Sequence, residues 1–228
     1  MLATCSKGIH GVPMANHVMG YMLAFLRRFP ELAANQKKHT WVRPMPDEAT
    51  GKRICIIGMG NIGQEIARVA KTFDMFVTGI RRTQTPVEFV DEIRPTEALD
   101  EVLAEADFTI MLLPINEQTR GFMTTQRFAA MKLGSYFINV GRGQTVDEAA
   151  LADALRSGHL GGAALDAFEE EPLPEDSPLW DMPNVLITPH LAADTPFYMN
   201  RAFALAAKNL MRFQAGQPLL SQVDLNDR

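Results

Sequence analysis

A chain of 228 residues, 46% of them hydrophobic, can bury a substantial core as one large domain or two small ones. Its formal net charge of -5, with no basic stripe and only pairs such as Lys37-Lys38 and Arg81-Arg82, argues against nucleic acid as a partner. Pro13, Asn16, His17, Arg27 and Arg28 interrupt the segment 12 to 29, so neither a membrane span nor a cleaved leader is expected, and Cys5 with Cys55 makes no disulfide framework, which points to a reducing cytoplasmic compartment.

Residues 1 to 11 read as irregular. From Val12 to Phe29 the pattern is helical with two apolar stripes, Val12, Ala15, Met19, Met22 and Leu26 on one and Met14, Val18, Tyr21, Phe25 and Phe29 on the other. A helix with two apolar faces needs cover on two sides, so a second subunit or a further domain is expected against it. A homodimer follows as the expected assembly, with residues 1 to 50 as its helical segment and linker. Pro30 separates this helix from a shorter, more polar one through Lys38. Residues 40 to 51, with Trp41, Pro44, Pro46 and Gly51, keep no period and read as a connection.

Ile54 to Ile57 are apolar without alternation, as in a central parallel strand covered on both faces, and Cys55 within it reads as a small buried hydrophobe. After the glycines Gly58, Gly60 and Gly63 the apolar positions Ile62, Ile66, Val69 and Phe73 recur at helical intervals. In such a strand-turn-helix Gly58 makes the tight turn, Gly60 leaves room for a pyrophosphate, and Gly63 lets the helix pack close to the strand. The helix start, from Asn61 and Ile62 onward, offers free N–H groups and a positive dipole end to the phosphates. No GK[ST] follows, so a nucleoside-triphosphate loop is not the alternative.

Short apolar strands and helices then alternate: strands at Met75 to Ile80, Phe108 to Leu113, Tyr136 to Val140, Ala163 to Leu165 and Val185 to Ile187, with helices near Leu99 to Ala106, Thr125 to Met131 and Glu148 to Arg156. This alternation predicts an α/β fold, a doubly wound, mainly parallel Rossmann-type sheet across residues 51 to 190. A last helix, Thr195 to Phe213, carries Met199, Phe203, Ala206, Leu210 and Phe213 on one face and ends near Gly216 and Pro218.

At the end of the second strand, about 20 residues past the glycines, a dinucleotide fold usually carries an acid for the adenine ribose. Arg81 stands there with Arg82 beside it. Guanidinium groups accept a 2′-phosphate that a carboxylate would repel, so NADP is expected over NAD, with NAD as the alternative. Against this stands the simpler reading that both arginines only solvate the loop through Pro86.

Three later strand ends concentrate polar residues: 139 to 143, 165 to 172 and 187 to 190. Arg142 can hold a substrate carboxylate and its adjacent oxygen, and His190 is the residue type that moves a proton near neutral pH. A carboxylate bonded to His190 would fix its tautomer, and the residues themselves do not choose among Glu169, Glu170 and Glu171. No metal is expected.

Several ordered motifs then agree: Gly58-Met-Gly60-Asn61-Ile62-Gly63; Leu113-Pro114 followed by Thr119-Arg120-Gly121; Asn139-Val140-Gly141-Arg142-Gly143 with Val146-Asp147; Asp166 to Pro172; and Thr188-Pro189-His190. With these the chain resembles, along essentially its whole length, the D-isomer-specific 2-hydroxyacid dehydrogenases, which include glyoxylate/hydroxypyruvate, phosphoglycerate and D-lactate dehydrogenases. The resemblance implies hydride transfer between NADP(H) or NAD(H) and a small D-2-hydroxy acid/2-oxo acid pair such as glyoxylate or hydroxypyruvate. It implies that Arg142 binds the substrate's carboxylate and carbonyl, that His190 is the acid/base, and that Glu171, just before Pro172, is its paired glutamate. Asp166 matches the residue near the nicotinamide carboxamide. Leu113, Pro114, Thr119, Val140 and Gly141 join the glycine turn, Arg142 and His190 around the cofactor.

The departure is at the beginning. Family members carry a longer segment ahead of the part resembling Lys7 to Leu26, and it builds most of a substrate domain, toward which residues 191 to 228 are expected to return. A second reading is therefore a catalytically incomplete cofactor-binding and dimerisation fragment. Asp166-Ala167 also replaces the commoner Asp-Val, and Ala193-Asp194-Thr195-Pro196 is atypical where substrate preference is set.

Overall fold

The computed structural model describes residues 2 to 223. Its first half runs β1 (Ala3–Thr4), α1 (Gly11–Leu26), α2 (Phe29–Lys37), β2 (Arg53–Ile57), α3 (Asn61–Lys71), β3 (Phe76–Ile80), β4 (Glu92–Arg94) and α4 (Leu99–Leu103). The second half runs β5 (Phe108–Met111), α5 (Thr125–Ala130), β6 (Tyr136–Asn139), α6 (Glu148–Arg156), β7 (Gly162–Leu165), β8 (Val185–Ile187), α7 (Tyr198–Gln214) and β9 (Gln222–Val223).

Seven strands form one parallel sheet in the order β4-β3-β2-β5-β6-β7-β8. In β2, Ile54 and Ile56 turn to one face, into a core shared with α1 and α3, while Cys55 and Ile57 turn to the other, against α4, α5 and α6. Both faces are buried, which is why β2 reads as an unbroken apolar run; each isoleucine withdrawn from water contributes about 1.5–3 kcal/mol. The chain grows outward from β2 toward β4 and from β5 toward β8, so a crevice opens at the carboxyl ends between these two directions.

α1 corrects the argument made from its two stripes. Met14, Ala15, Val18, Met19, Tyr21, Met22, Phe25 and Leu26 are all buried within this chain, packed beside α3 and across the same sheet face. Phe25 stacks on Tyr136 with ring centroids 4.7 Å apart, and Tyr136 stacks on Phe108 at 5.0 Å. The double apolar face is thus satisfied by a helix and a sheet of its own fold, and only its ends, Val12 and Phe29, are exposed. The break after α1 also lies earlier than Pro30. Arg28 takes a left-handed φ of 60°, and Pro30 sits in the first turn of α2, where its missing N–H has no intrahelical partner to lose.

The surface beyond α1 is where apolar residues remain uncovered. α2 buries none of its residues, and in the following arm Trp41 is 94% and Met45 86% exposed. α7 begins at Tyr198, after a turn in which the Tyr198 amide donates to the Thr195 carbonyl. Met199, Phe203, Leu210 and Phe213 on its predicted apolar face are exposed, and it is tied down through buried Asn209, whose amide exchanges two hydrogen bonds with the Leu220 backbone. Two elements escape a periodicity reading: the short edge strand β4, and the antiparallel β1–β9 ribbon, whose first strand lies in residues read as irregular. No helix among the described residues is long and apolar enough to cross a membrane.

Candidate functional site

The glycine turn closes β2 onto α3 by steric necessity. Gly58 has a φ of 111°, and a Cβ on Gly63 would stand 2.4 Å from the Gly58 carbonyl oxygen, so α3 starts against the strand only with glycine there. A Cβ on Gly60 would meet nothing within 4 Å. Packing therefore does not require that glycine, and the open space over it suits an approaching ligand. No acidic residue occupies the first turn of α3, and no side chain caps it, so the N–H groups at Asn61, Ile62 and Gly63 begin a positive helix end. The turn fits a pyrophosphate.

Two adjoining cavities flank this turn, sharing Leu113 and Pro114. One, of about 340 Å³, is lined by Gly58, Arg81, Arg82 and Thr119 together with Thr96, Asn116, Gln118 and Phe122. Thr119 spends its hydroxyl on its own loop, donating to the Pro114 carbonyl at 2.6 Å and accepting from the Asn116 amide at 2.8 Å. The other cavity, of about 510 Å³, brings Ile62, Val140, Gly141, Arg142, Asp166 and His190 together. His10, Met14, Asp194 and Tyr198 line it as well, none of them a site residue on sequence grounds. The rings of His10 and Tyr198 lie 5.6 Å apart, joining the loop before α1 to the start of α7. Only the atypical run at Asp194 had hinted at them.

The loop bearing Arg142 is shaped from below by buried Asn139, which accepts from the Gly141 amide at 3.0 Å and donates to the Arg142 carbonyl at 3.2 Å. A Cβ on Gly143 would fall 1.8 Å from the Phe168 carbonyl carbon, so this loop and the one after β7 pass each other only through glycine. Arg142 itself is exposed, with Nη1 donating to the Gly141 carbonyl at 2.8 Å.

Of the three consecutive glutamates, Glu171 is the one bonded to His190, with Oε2 2.7 Å from Nδ1. Its Oε1 accepts from the Phe168 amide at 2.9 Å, whereas the Glu169 amide donates to Glu148. Burial by itself would raise the Glu171 carboxyl, yet the His190 and Phe168 hydrogen bonds and the charges of His190 and Arg142 together lower it. With Nδ1 committed to Glu171, Nε2 is the ring atom left for a substrate. Asp166, 2% exposed at the end of β7, accepts from the Leu191 and Ala192 amides and from the Thr188 hydroxyl, which binds the loop carrying His190 to the sheet.

A strand-turn-helix open to a pyrophosphate, beside a cavity holding an arginine and a carboxylate-bonded histidine, defines a Rossmann-type dinucleotide-binding domain. The family model described as D-isomer specific 2-hydroxyacid dehydrogenase, NAD binding domain, matches residues 19–192. The curated D-3-phosphoglycerate dehydrogenase of Bacillus subtilis is 34% identical over 223 residues, which cover 94% of this chain and 41% of that protein. A D-isomer specific 2-hydroxyacid dehydrogenase from Xanthobacter autotrophicus, solved with NADPH and MES, superposes with a TM-score of 0.88 at 38% identity, over 98% of this chain and 92% of that one. The NADPH-dependent glyoxylate/hydroxypyruvate reductase of Sinorhizobium meliloti, solved with NADP and sulfate, gives a TM-score of 0.86 at 37% identity, over 94% and 69% of the two chains. The chain belongs to the D-isomer-specific 2-hydroxyacid dehydrogenase family and carries its NAD-binding domain. It spans 41% and 40% of the length of the curated D-3-phosphoglycerate dehydrogenases of Bacillus subtilis and Mycobacterium bovis.

Proposed function

We propose that this chain is the cofactor-binding portion of an oxidoreductase that interconverts a small D-2-hydroxy acid and its 2-oxo acid, such as glyoxylate or hydroxypyruvate, with NADP(H) preferred over NAD(H). The observation that carries the reading is that His190, bonded through Nδ1 to Glu171, lines the same cavity as Arg142. NADP(H), when bound along the glycine turn, supplies or accepts the hydride. Arg142 orients the substrate carboxylate and carbonyl, and His190 delivers a proton from Nε2 to the carbonyl oxygen as its negative charge grows. Glu171 holds the ring through Nδ1 and fixes its orientation. Arg81 and Arg82 line the cavity next to the turn, where they suit a 2′-phosphate.

By itself the chain forms one wall of the cleft, so it binds cofactor and turns substrate over weakly or not at all. The proposed assembly is a cytoplasmic homodimer, with its contact moved from α1 to α2 and the exposed arm at Trp41 and Met45. Calorimetric titration with NADP(H) and NAD(H), beside steady-state assays of this chain and of an extended version on a 2-oxo acid panel, tests the reading. Tighter NADP(H) binding is expected, with turnover only in the extended version and its loss in His190→Ala at unchanged cofactor affinity. Robust turnover by the 228-residue chain would overturn the incomplete-fragment reading, and an inactive extended enzyme would overturn the substrate class.

A further inference from the structure

The loop that carries His190 is held in an unfavourable backbone shape. His190 has a φ of 53°, in the left-handed region that residues with a Cβ seldom occupy. The clamp on either side of it is the Asp166 carboxylate: Oδ1 accepts from the Thr188 hydroxyl at 2.5 Å and the Leu191 amide at 2.9 Å, and Oδ2 accepts from the Ala192 amide at 2.9 Å. Only Pro189 and His190 lie between the anchored residues.

Thr188 is itself fully engaged. Its Oγ1 lies 2.5 Å from the Tyr21 hydroxyl and 3.2 Å from His17 Nε2, besides Asp166. A hydroxyl has one hydrogen and two lone pairs. The hydrogen goes to Asp166, an acceptor, so the Tyr21 O–H must donate to Thr188 and His17 must carry its hydrogen on Nε2. Burial keeps the Tyr21 phenol far above its ordinary value and lowers His17 against the opposing pull of Asp166, in keeping with a protonated phenol and a neutral imidazole. The two rings pack edge to face, 4.5 Å apart, one turn of α1 from each other. Tyr21 is buried on a helix packed into the core, so the network ties the His190 loop to that helix.

We infer that Tyr21 and His17 are positioning residues for His190, acting through the Thr188 hydroxyl and the Asp166 carboxylate to hold the left-handed turn that aims its imidazole. The importance of His190 for proton transfer rests on the function proposed above; the clamp does not, and it can be read without turnover. Amide exchange and imidazole N–H resonances of the whole 228-residue chain, followed by NMR, separate the two. Thr188→Val keeps the side-chain shape and removes the hydroxyl, Thr188→Ser restores it, and Tyr21→Phe removes the outer donor. Exchange at Leu191 and Ala192 is expected to quicken about tenfold in Thr188→Val and Tyr21→Phe, to return in Thr188→Ser, and to stay constant in β2. The Nδ1–H signal of His190, held by Glu171, should broaden in the same two variants.

Unchanged exchange at Leu191 and Ala192, a matching acceleration in β2, or an unmoved His190 signal would each overturn the inference. Should Thr188→Val fail to fold, Tyr21→Phe decides on the same readouts. In an active extended enzyme these variants should lower kcat with cofactor affinity unchanged. An unmodified enzyme without turnover fails the functional reading alone.

Discussion

The Glu171 carboxylate makes the site respond to pH. Its folded value lies below the ordinary 4.5, so its contribution to stability is present above that pH and is lost as pH falls through the lowered value. Urea midpoints measured from neutral to acid pH should therefore decline below about 4.5, and Glu171→Gln should flatten part of that decline. A variant with the unmodified slope would mean that the pair adds nothing to folding. Solvent screens this partly exposed pair, so its contribution is small. In the adjoining cavity, Arg81→Ala and Arg82→Ala should each weaken NADP by about ten- to a hundredfold, the worth of a charge-assisted contact of about 1.5–3 kcal/mol. NAD affinity should not move. If calorimetry shows an equal loss for both cofactors, the arginines serve the loop and not the 2′-phosphate.

Two helices of similar apolar content behave oppositely. α1 is sealed between α3 and the sheet, whereas α7 holds its apolar face outward and is anchored through Asn209. Met22 is fully buried and Met211 is 67% exposed, so the same truncation separates the two cases. Met22→Ala should destabilise the fold by about 2–5 kcal/mol, because a cavity is left in a close-packed core. Met211→Ala should change it by no more than about 0.5 kcal/mol. Denaturant unfolding checks both, and a small effect at Met22 would mean that α1 is not part of the cooperative core. The cavity residues Asp194 and Tyr198 stand at the start of α7, so an element that lines the site also leaves most of its apolar face uncovered by the described chain.

At the scale of the molecule, the parallel sheet carries the site at the edge where its strand order reverses, and every candidate chemical group arrives on a loop after a strand. The proposed dimer places its contact elsewhere, on α2 and the arm with Trp41 and Met45 uncovered. Exposed apolar side chains of this size are expected to associate. Sedimentation equilibrium at micromolar protein should give a dimer, and Trp41→Ala with Met45→Glu should give a folded monomer. A monomer in the unmodified chain would overturn the assembly.

Features governed by local sterics and short-range periodicity were legible in the sequence by itself. The apolar run of β2, the three glycines and the amphipathic α3 dictate a strand-turn-helix, and the alternation that follows dictates a doubly wound sheet, since each step depends on residues close in the chain. The edge strand β4 was not legible, because a single isoleucine between two charged residues carries no period. Only tertiary structure decided which partners meet. Three neighbouring glutamates differ by the backbone path of one loop, and that path delivers Glu171 to His190. The two stripes of α1 announce that both faces are covered, but the cover is α3 and its own sheet, which no pattern within the helix could specify. His10 and Tyr198 come together from opposite ends of the chain, and Tyr21 reaches Asp166 through Thr188, because packing of distant segments sets those distances.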